Sequence, residues 1–408
     1  VRYDAIRFVV VEWFVEIEAA RSSTACLRRG EHATRRIMMR QWITVMWAMA
    51  VSVMVLQSAY AETEAVSADQ QPALTFDSVV TIAAADASRA EVVMNAFEDG
   101  KVDVAYKGID GGVYYVVFDI DEPNRELKPE KVCGLTHGLY GVGRDADGRV
   151  IVGANNSKQL IAWTRTDESK WVADKSGVIA GGYYGAIGGF AVSPKTSQPA
   201  FYAVNADGES VFAERVDGGQ WRTTVLDREQ TAITRGDVAF GGEGQPIVAY
   251  QRLGKPAATR GGSPFQVGDM FHGAYAYFPL SVAGDQEGRA HAGVSLHTGL
   301  VYYFQSNASR NAWTKVEVDK GGGYGDSVGC DIAVNADGSS IAFIYGDRGN
   351  HLTLATSVDS GATWLKQPLA GAQSQFPAAV FDRTGRLFVA WRHPTDGLQL
   401  AVVTSLKP

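Results

Sequence analysis

From about residue 90 onward, short apolar runs alternate with tight polar turns, and one arrangement keeps returning: an apolar strand, an acidic turn closed by glycine, and a second apolar strand ending in an aromatic residue. It reads EVVMNAFEDGKVDVAYKG from Glu91, GLYGVGRDADGRVIVGANN from Gly138 and GDVAFGGEGQPIVAYQR from Gly236. It returns as LSVAGDQEGRAHAGVS from Leu280, CDIAVNADGSSIAFIYG from Cys330 and PAAVFDRTGRLFVAWR from Pro377, with a weaker copy, GGFAVSPKTSQPAFYAVN, from Gly188. The turn glycines Gly100, Gly148, Gly244, Gly288, Gly338 and Gly385 recur with a period of about 47 residues once the weak copy is counted.

Each unit continues into a third strand, such as Val113 to Phe118 or Leu352 to Thr356, and then into a fourth opened by an aromatic residue: Trp171, Trp221, Phe265, Trp313 or Trp364. Four strands per unit without a helical period predict the blade of a β-propeller. The expected fold class is all-β: a single propeller of seven four-stranded blades, with six as the alternative count, over residues 62–408. The last unit has room for only three strands, while Ala73 to Ile82 offers a spare one. The N-terminal strand is therefore expected to complete the last blade and close the ring.

Residues 1–37 share no pattern with the rest and read as an upstream extension foreign to the mature protein. Residues 38–61 predict a signal peptide: Arg40 supplies the charged start, Ile43 to Leu56 an apolar run, and Ala59-Tyr60-Ala61 a small-residue cleavage site. The run is short for a membrane span, so cleavage and release to a periplasmic or extracellular location are expected, with no span left afterwards. The chain carries a formal charge of −7. Removing the first 61 residues takes it to about −10, which argues against nucleic acid as a partner. Only Cys133 and Cys330 then survive, about four repeats apart, and no disulfide between them is expected. The seven His are scattered and no phosphate-binding glycine loop precedes a helix, so neither a metal nor a cofactor is expected.

Ser357-Val358-Asp359-Ser360-Gly361-Ala362-Thr363-Trp364 resembles the Asp-box, or BNR repeat, of the sialidase-like β-propeller superfamily. Degenerate copies run from Ser306 to Trp313, Thr164 to Trp171 and Thr259 to Phe265. Aspartate can accept backbone N–H bonds in such a turn, glycine can take positive φ, and the tryptophan can pack between sheets. The resemblance implies a structural role for Asp359 and Trp364, because the family's Asp-boxes lie away from the ligand. It does not extend to the sialidase catalytic signature: no Arg-Ile-Pro occurs, and Arg89 is followed by Ala90 and Glu91.

In a propeller, the loops entering the innermost strands and those joining second to third strands share one face; the first hairpins of the blades share the other. The hairpin face reads as short acidic turns exposed to solvent: Glu98 and Asp99, Asp145 and Asp147, Glu243, Asp285 and Glu287, Asp337 and Asp382. The opposite face collects His137, Tyr140, Tyr184, Arg235, His272, Tyr324, Arg252 and Arg392. Aromatic platforms beside guanidinium groups suit sugars carrying carboxylate or sulfate, so these eight are the expected ligand-binding residues. Asp237 and Asp331 share one register, seven residues before their turn glycines. They are the expected catalytic pair, since glycoside hydrolysis uses two carboxylates. The competing reading is that each caps an inner strand through backbone hydrogen bonds.

The leading functional expectation is a secreted propeller that binds a glycan or polysaccharide and, in its stronger form, cleaves it. A sialidase-like glycoside hydrolase ranks above a polysaccharide lyase, for which His137, His272, Tyr275, Tyr277 and Arg252 would be the ingredients. The alternative is a non-catalytic scaffold that binds a protein or peptide on the same face.

Overall fold

In several blades the turn of the first hairpin is built by one side chain. Asp145 shows how: its Oδ1 accepts the backbone N–H of Asp147 at 3.0 Å and of Arg149 at 2.9 Å. Gly148 meanwhile takes φ of 76°, a conformation costly for any residue with a Cβ. Asp285 repeats the bond to Arg289, Asn335 to Ser340, and Asp382 those to Thr384 and Arg386, while Asn205 makes the same bonds, to Asp207 and Glu209, in the turn between the second and third strands of blade 3. The recurring Asp/Asn-x-x-Gly of the sequence is therefore a capped turn that fixes hairpin register.

The computed structural model describes residues 75–406 except 85–87, 157–158, 167–169, 180–187, 218, 229–235, 253–254, 260–266, 271–279, 297, 321–328, 347–350 and 371–374. Its 28 strands form seven four-stranded antiparallel sheets. Blades 1 to 6 occupy residues 88–133, 138–179, 189–227, 236–269, 280–319 and 330–370. Blade 7 takes three strands from 375–405 and its outermost from Thr75–Ala83, which pairs antiparallel with Gly397–Ser405 in a register that sets Val79 opposite Ala401. Closure by the N-terminal strand, seven blades and four strands per blade are thus as the repeat predicted. The expected leader at 38–61 lies outside the described residues.

Burial follows position in the blade. Second strands are buried on both faces, as in Val150–Asn155, Pro199–Val204 and Ile341–Gly346, which accounts for their continuous apolar character. Outer strands such as Trp221–Asp227 and Trp313–Asp319 alternate half-buried and exposed, with the aromatic residue at the start turned inward. Between blades 7 and 1, Ile82, Leu400, Phe388, Val104 and Phe118 form one cluster, so residues from both ends of the chain share a core. Cys133 and Cys330 are free thiols, and burial pushes the Cys133 thiol up to about 11.

Two of the acidic turns expected in solvent are not there. Asp285 and Asp382 are 2% and 5% exposed. Asp285 Oδ2 takes a bond from Arg289 Nε at 2.5 Å and lies 3.1 Å from His291 Nε2. Asp382 Oδ2 is bonded by Arg386 Nε at 2.9 Å and by the backbone N–H of Gly100 in blade 1 at 3.0 Å. An arginine folded back over its own turn, and for Asp382 a neighbouring blade, supply the partners that let these carboxylates leave water.

The Ser357–Trp364 turn is a closed unit. Asp359 Oδ1 accepts the Ser357 hydroxyl at 2.8 Å and the Thr363 N–H at 2.8 Å, and Oδ2 accepts the Thr363 hydroxyl at 2.6 Å. These bonds, led by Thr363, hold the Asp359 carboxyl down at about 2. Trp364 donates Nε1–H to the Gly361 carbonyl at 3.0 Å and meets Tyr303 edge to face at 5.2 Å.

Candidate functional site: the entry end of the central channel

Innermost strands pair on one side only. Half of their backbone N–H groups therefore face the channel or the next blade and need other acceptors. Asp237, second residue of Gly236–Phe240 in blade 4, fills this need. Its Oδ1 accepts Val238 N–H at 2.8 Å, and its Oδ2 reaches into blade 5 to accept Val282 N–H at 3.0 Å. Asp331, second residue of Cys330–Val334 in blade 6, does the same: Oδ1 accepts Ile332 N–H at 2.9 Å and Oδ2 accepts Ala379 N–H of blade 7 at 2.7 Å. Glu91 is a third such link, with Oε2 accepting Leu139 N–H of blade 2 at 2.8 Å and Oε1 3.4 Å from Lys107 Nζ.

The two aspartates meet through a residue that lies between them in blade 5. Ser281 Oγ stands 3.0 Å from Asp237 Oδ2 and 2.7 Å from Asp331 Oδ1. All four carboxylate oxygens thus have a backbone N–H or hydroxyl partner. Both residues are half-buried. Burial pushes the Asp331 carboxyl up to about 7 against the opposing effect of its bonds from Ser281 and Ala379, and the charge of Asp237 adds to the rise. Burial also raises Asp237, offset in part by the bonds from Val282, Val238 and Ser281.

Past this layer, toward the hairpin face, lies a cavity of about 760 Å³ to which all seven blades contribute. Val238, Val282, Ile332 and Ala379, neighbours of the bonded groups, line it together with Met94, Phe240 and Arg383. The carboxylate layer therefore stands between that cavity and the loop face.

The expected ligand-binding residues divide. His137 is exposed and its carbonyl accepts Lys107 Nζ at 3.0 Å. Arg252 is about a third exposed and lies 2.6 Å from Asp227 Oδ2, so a neighbouring blade already balances its charge. Arg392 is half-buried at the end of the second strand of blade 7. Tyr140 is corrected: it is 7% exposed and packs between blades 2 and 3, edge to face with Phe201 at 6.3 Å, its hydroxyl accepting from Asn155 Nδ2 at 3.2 Å. Burial raises its phenol well above the ordinary value. Tyr184, Arg235, His272 and Tyr324 lie outside the described residues.

The sequence pattern singled out Asp237 and Asp331 but not the bridge, although Ser281 holds the same register in the intervening blade. Glu91 stands outside that register, two residues earlier than the aspartates, a shift its longer side chain makes up. Among the described residues, no group of three His, Cys, Asp or Glu side chains could hold a metal.

These features define a single seven-bladed β-propeller with a polar, cross-blade layer at the entry end of its channel. No protein-family model matches the chain, and no curated protein matches it by sequence. Among solved structures it resembles virginiamycin B lyase from Staphylococcus aureus, at 10% identity over 80% of this chain and 99% of that one, with a TM-score of 0.55. It also resembles the BP39L lectin from Burkholderia pseudomallei, at 12% identity over 76% and 98%, TM-score 0.53. A chain of a mitotic checkpoint complex matches at 14% identity over 83% and 94%, TM-score 0.52. At such identities the likeness is one of fold, and it spans a lyase, a lectin and a protein assembly.

Proposed function

We propose that this is an exported propeller that binds a glycan at the loop end of its channel. The observation that carries the reading is the Asp237–Ser281–Asp331 layer, a run of oxygen acceptors and a hydroxyl drawn from three blades at the start of their innermost strands. Sugars present hydroxyls that pair with such groups. Arg252 and Arg392 would meet any carboxylate or sulfate they carry. Export is inferred from residues 38–61, and kinship with Asp-box propellers from the Ser357–Trp364 turn. The lectin among the similar folds is compatible with this reading, as is the lyase with a ligand that is cleaved.

Because both carboxylates already accept backbone N–H bonds, recognition is better supported than cleavage. Cleavage would draw on Asp331, because burial pushes its carboxyl upward, the direction a general acid working near neutral pH needs. A glycan array probed with the folded protein tests binding, with acidic polysaccharides expected among the ligands. The Arg252→Ala, Arg392→Ala double variant should lose at least tenfold in affinity for them. Unchanged binding would remove the anionic-glycan reading. Release of sugar or unsaturated product from a polysaccharide panel, abolished in Asp331→Asn, would establish cleavage.

A further inference from the structure

Ser281 has one hydroxyl proton and stands within hydrogen-bond distance of two carboxylates. A single hydroxyl donates to only one acceptor at a time. If both aspartates were ionised, one short contact would set two lone-pair-bearing oxygens against each other, 2.7 or 3.0 Å apart. No Lys, Arg or His among the described residues bonds either group. The arrangement becomes self-consistent with one added proton: Asp331 donates O–H to Ser281 Oγ, and Ser281 donates its own to Asp237 Oδ2.

We propose that Asp331, Ser281 and Asp237 hold one proton in common, and that its release on alkalinisation loosens the contacts joining blades 4, 5, 6 and 7 at the entry end of the channel. The latch acts through the backbone. The same carboxylates accept Val282 N–H in blade 5 and Ala379 N–H in blade 7, so repulsion between two anions across Ser281 bears directly on the strands that line the channel. This inference stands apart from the glycan reading, because it concerns the unliganded ring.

The titratable neighbours of the pair on the described strands are few. Cys330 adjoins Asp331 in its own strand. Tyr345, on the second strand of blade 6, gives its hydroxyl to Asp319 Oδ2 at 2.7 Å, and Tyr250, its counterpart in blade 4, gives its own to Asp227 Oδ2 at 3.4 Å. His291, on the second strand of blade 5, is committed to Tyr303 and Asp285. The inner strands of blades 5 and 7, Leu280–Gly284 and Gln375–Phe381, carry no ionisable side chain.

The sign of the pH effect follows from the raised carboxyl. Below the ordinary aspartate value, near 3.9, folded and unfolded chains are both protonated and the contribution is complete. As pH climbs from there to about 7, the unfolded chain has already released the proton that the folded one still holds, and stability falls; above about 7 the loss levels off.

The test is amide NMR of the wild-type protein between pH 5 and 8.5. The Val282, Ile332 and Ala379 amide resonances should shift together with one midpoint near neutrality. In Asp331→Asn that shared transition should vanish, and the decline in thermal midpoint between pH 5 and 7 should shrink by several degrees. Should the variant fail to fold, the wild-type titration decides alone, backed by an infrared band of a protonated carboxyl that disappears with the same midpoint. Resonances that stay fixed over this range, or that move independently with separate midpoints, overturn the shared proton.

Discussion

His291 Nδ1 lies 2.7 Å from Tyr303 Oη, in the core between blades 5 and 6. Nε2 faces the Asp285 carboxylate at 3.1 Å, which places the ring proton on Nε2 and makes Nδ1 the acceptor of the tyrosine hydroxyl. Blade 1 repeats the plan with other chemistry: at the matching position after the turn glycine, Asp103 accepts the Tyr115 hydroxyl at 2.6 Å. Asp103 is fully buried, and Arg144 of blade 2 grips it in two bonds of 2.8 Å. In both blades the tyrosine meets a tryptophan edge to face, Trp364 at 5.2 Å and Trp171 at 5.5 Å. One register thus carries a buried polar pair that ties the second strand to the third.

Replacing Tyr303 by Phe strands the His291 nitrogen in the core while keeping the aromatic volume. The expected cost is about 1–3 kcal/mol, the price of an unsatisfied buried acceptor. Urea unfolding with an unchanged slope and a lower midpoint would show it.

Asp103→Ala should be more damaging. It removes the partner of a buried hydroxyl and of the Arg144 guanidinium together. Arg144 is about a quarter exposed, so water recovers part of the loss, and a cost of about 2–4 kcal/mol is expected. The double variant Asp103→Ala, Arg144→Leu should be less destabilised than the single one. Chemical denaturation of all three proteins checks the ordering.

Asp285 controls part of the acid limit. Burial works to raise its carboxyl, but the bonds from His291 and Arg289 outweigh that and hold it below the ordinary range. Its contribution is therefore present above about pH 4 and is lost as pH falls through the depressed folded value. Asp285→Asn should lower stability at pH 7 and flatten the fall below pH 4. Thermal midpoints measured from pH 2 to 7 read both effects.

Gly361 has φ of 87°, and a Cβ there would come within 2.3 Å of Tyr303 Cε1. Gly361→Ala is expected to lower the thermal midpoint by several degrees through strain and displaced packing. Ser360→Gly, at φ of 57°, should be close to neutral. A calorimetric comparison of the two separates glycine's backbone role from loop tolerance.

Removing residues up to Ala83 exposes the Gly397–Ser405 edge and strips Ile82 and Ala83 from the core shared by blades 7 and 1. An unpaired, buried-type strand is a template for association. The truncated chain should lose cooperative unfolding and run as larger species in size-exclusion chromatography.

The architecture was legible because its determinants are local. Asp145 and Gly148 cap and bend one turn; continuous apolar runs such as Ile341–Tyr345 mark strands buried on both sides. Each lies within one hairpin, so the same few residues announce it wherever it recurs. The spare strand near residue 75 could be assigned to blade 7 by counting strands.

The site was legible only in part. The register marked Asp237 and Asp331, yet whether an aspartate is solvated, stapled to a strand or paired with another depends on atoms some 45 residues away in the next blade. Tyr140 has the composition of a mouth residue and was drawn into the core by Phe201. Asp285 looks like a surface turn residue and is buried by Arg289 and His291. Strand order and blade number are set by short-range periodicity, which a linear chain records. The fate of each polar side chain is set by how closely neighbouring blades approach, and that distance exists only after the ring has closed.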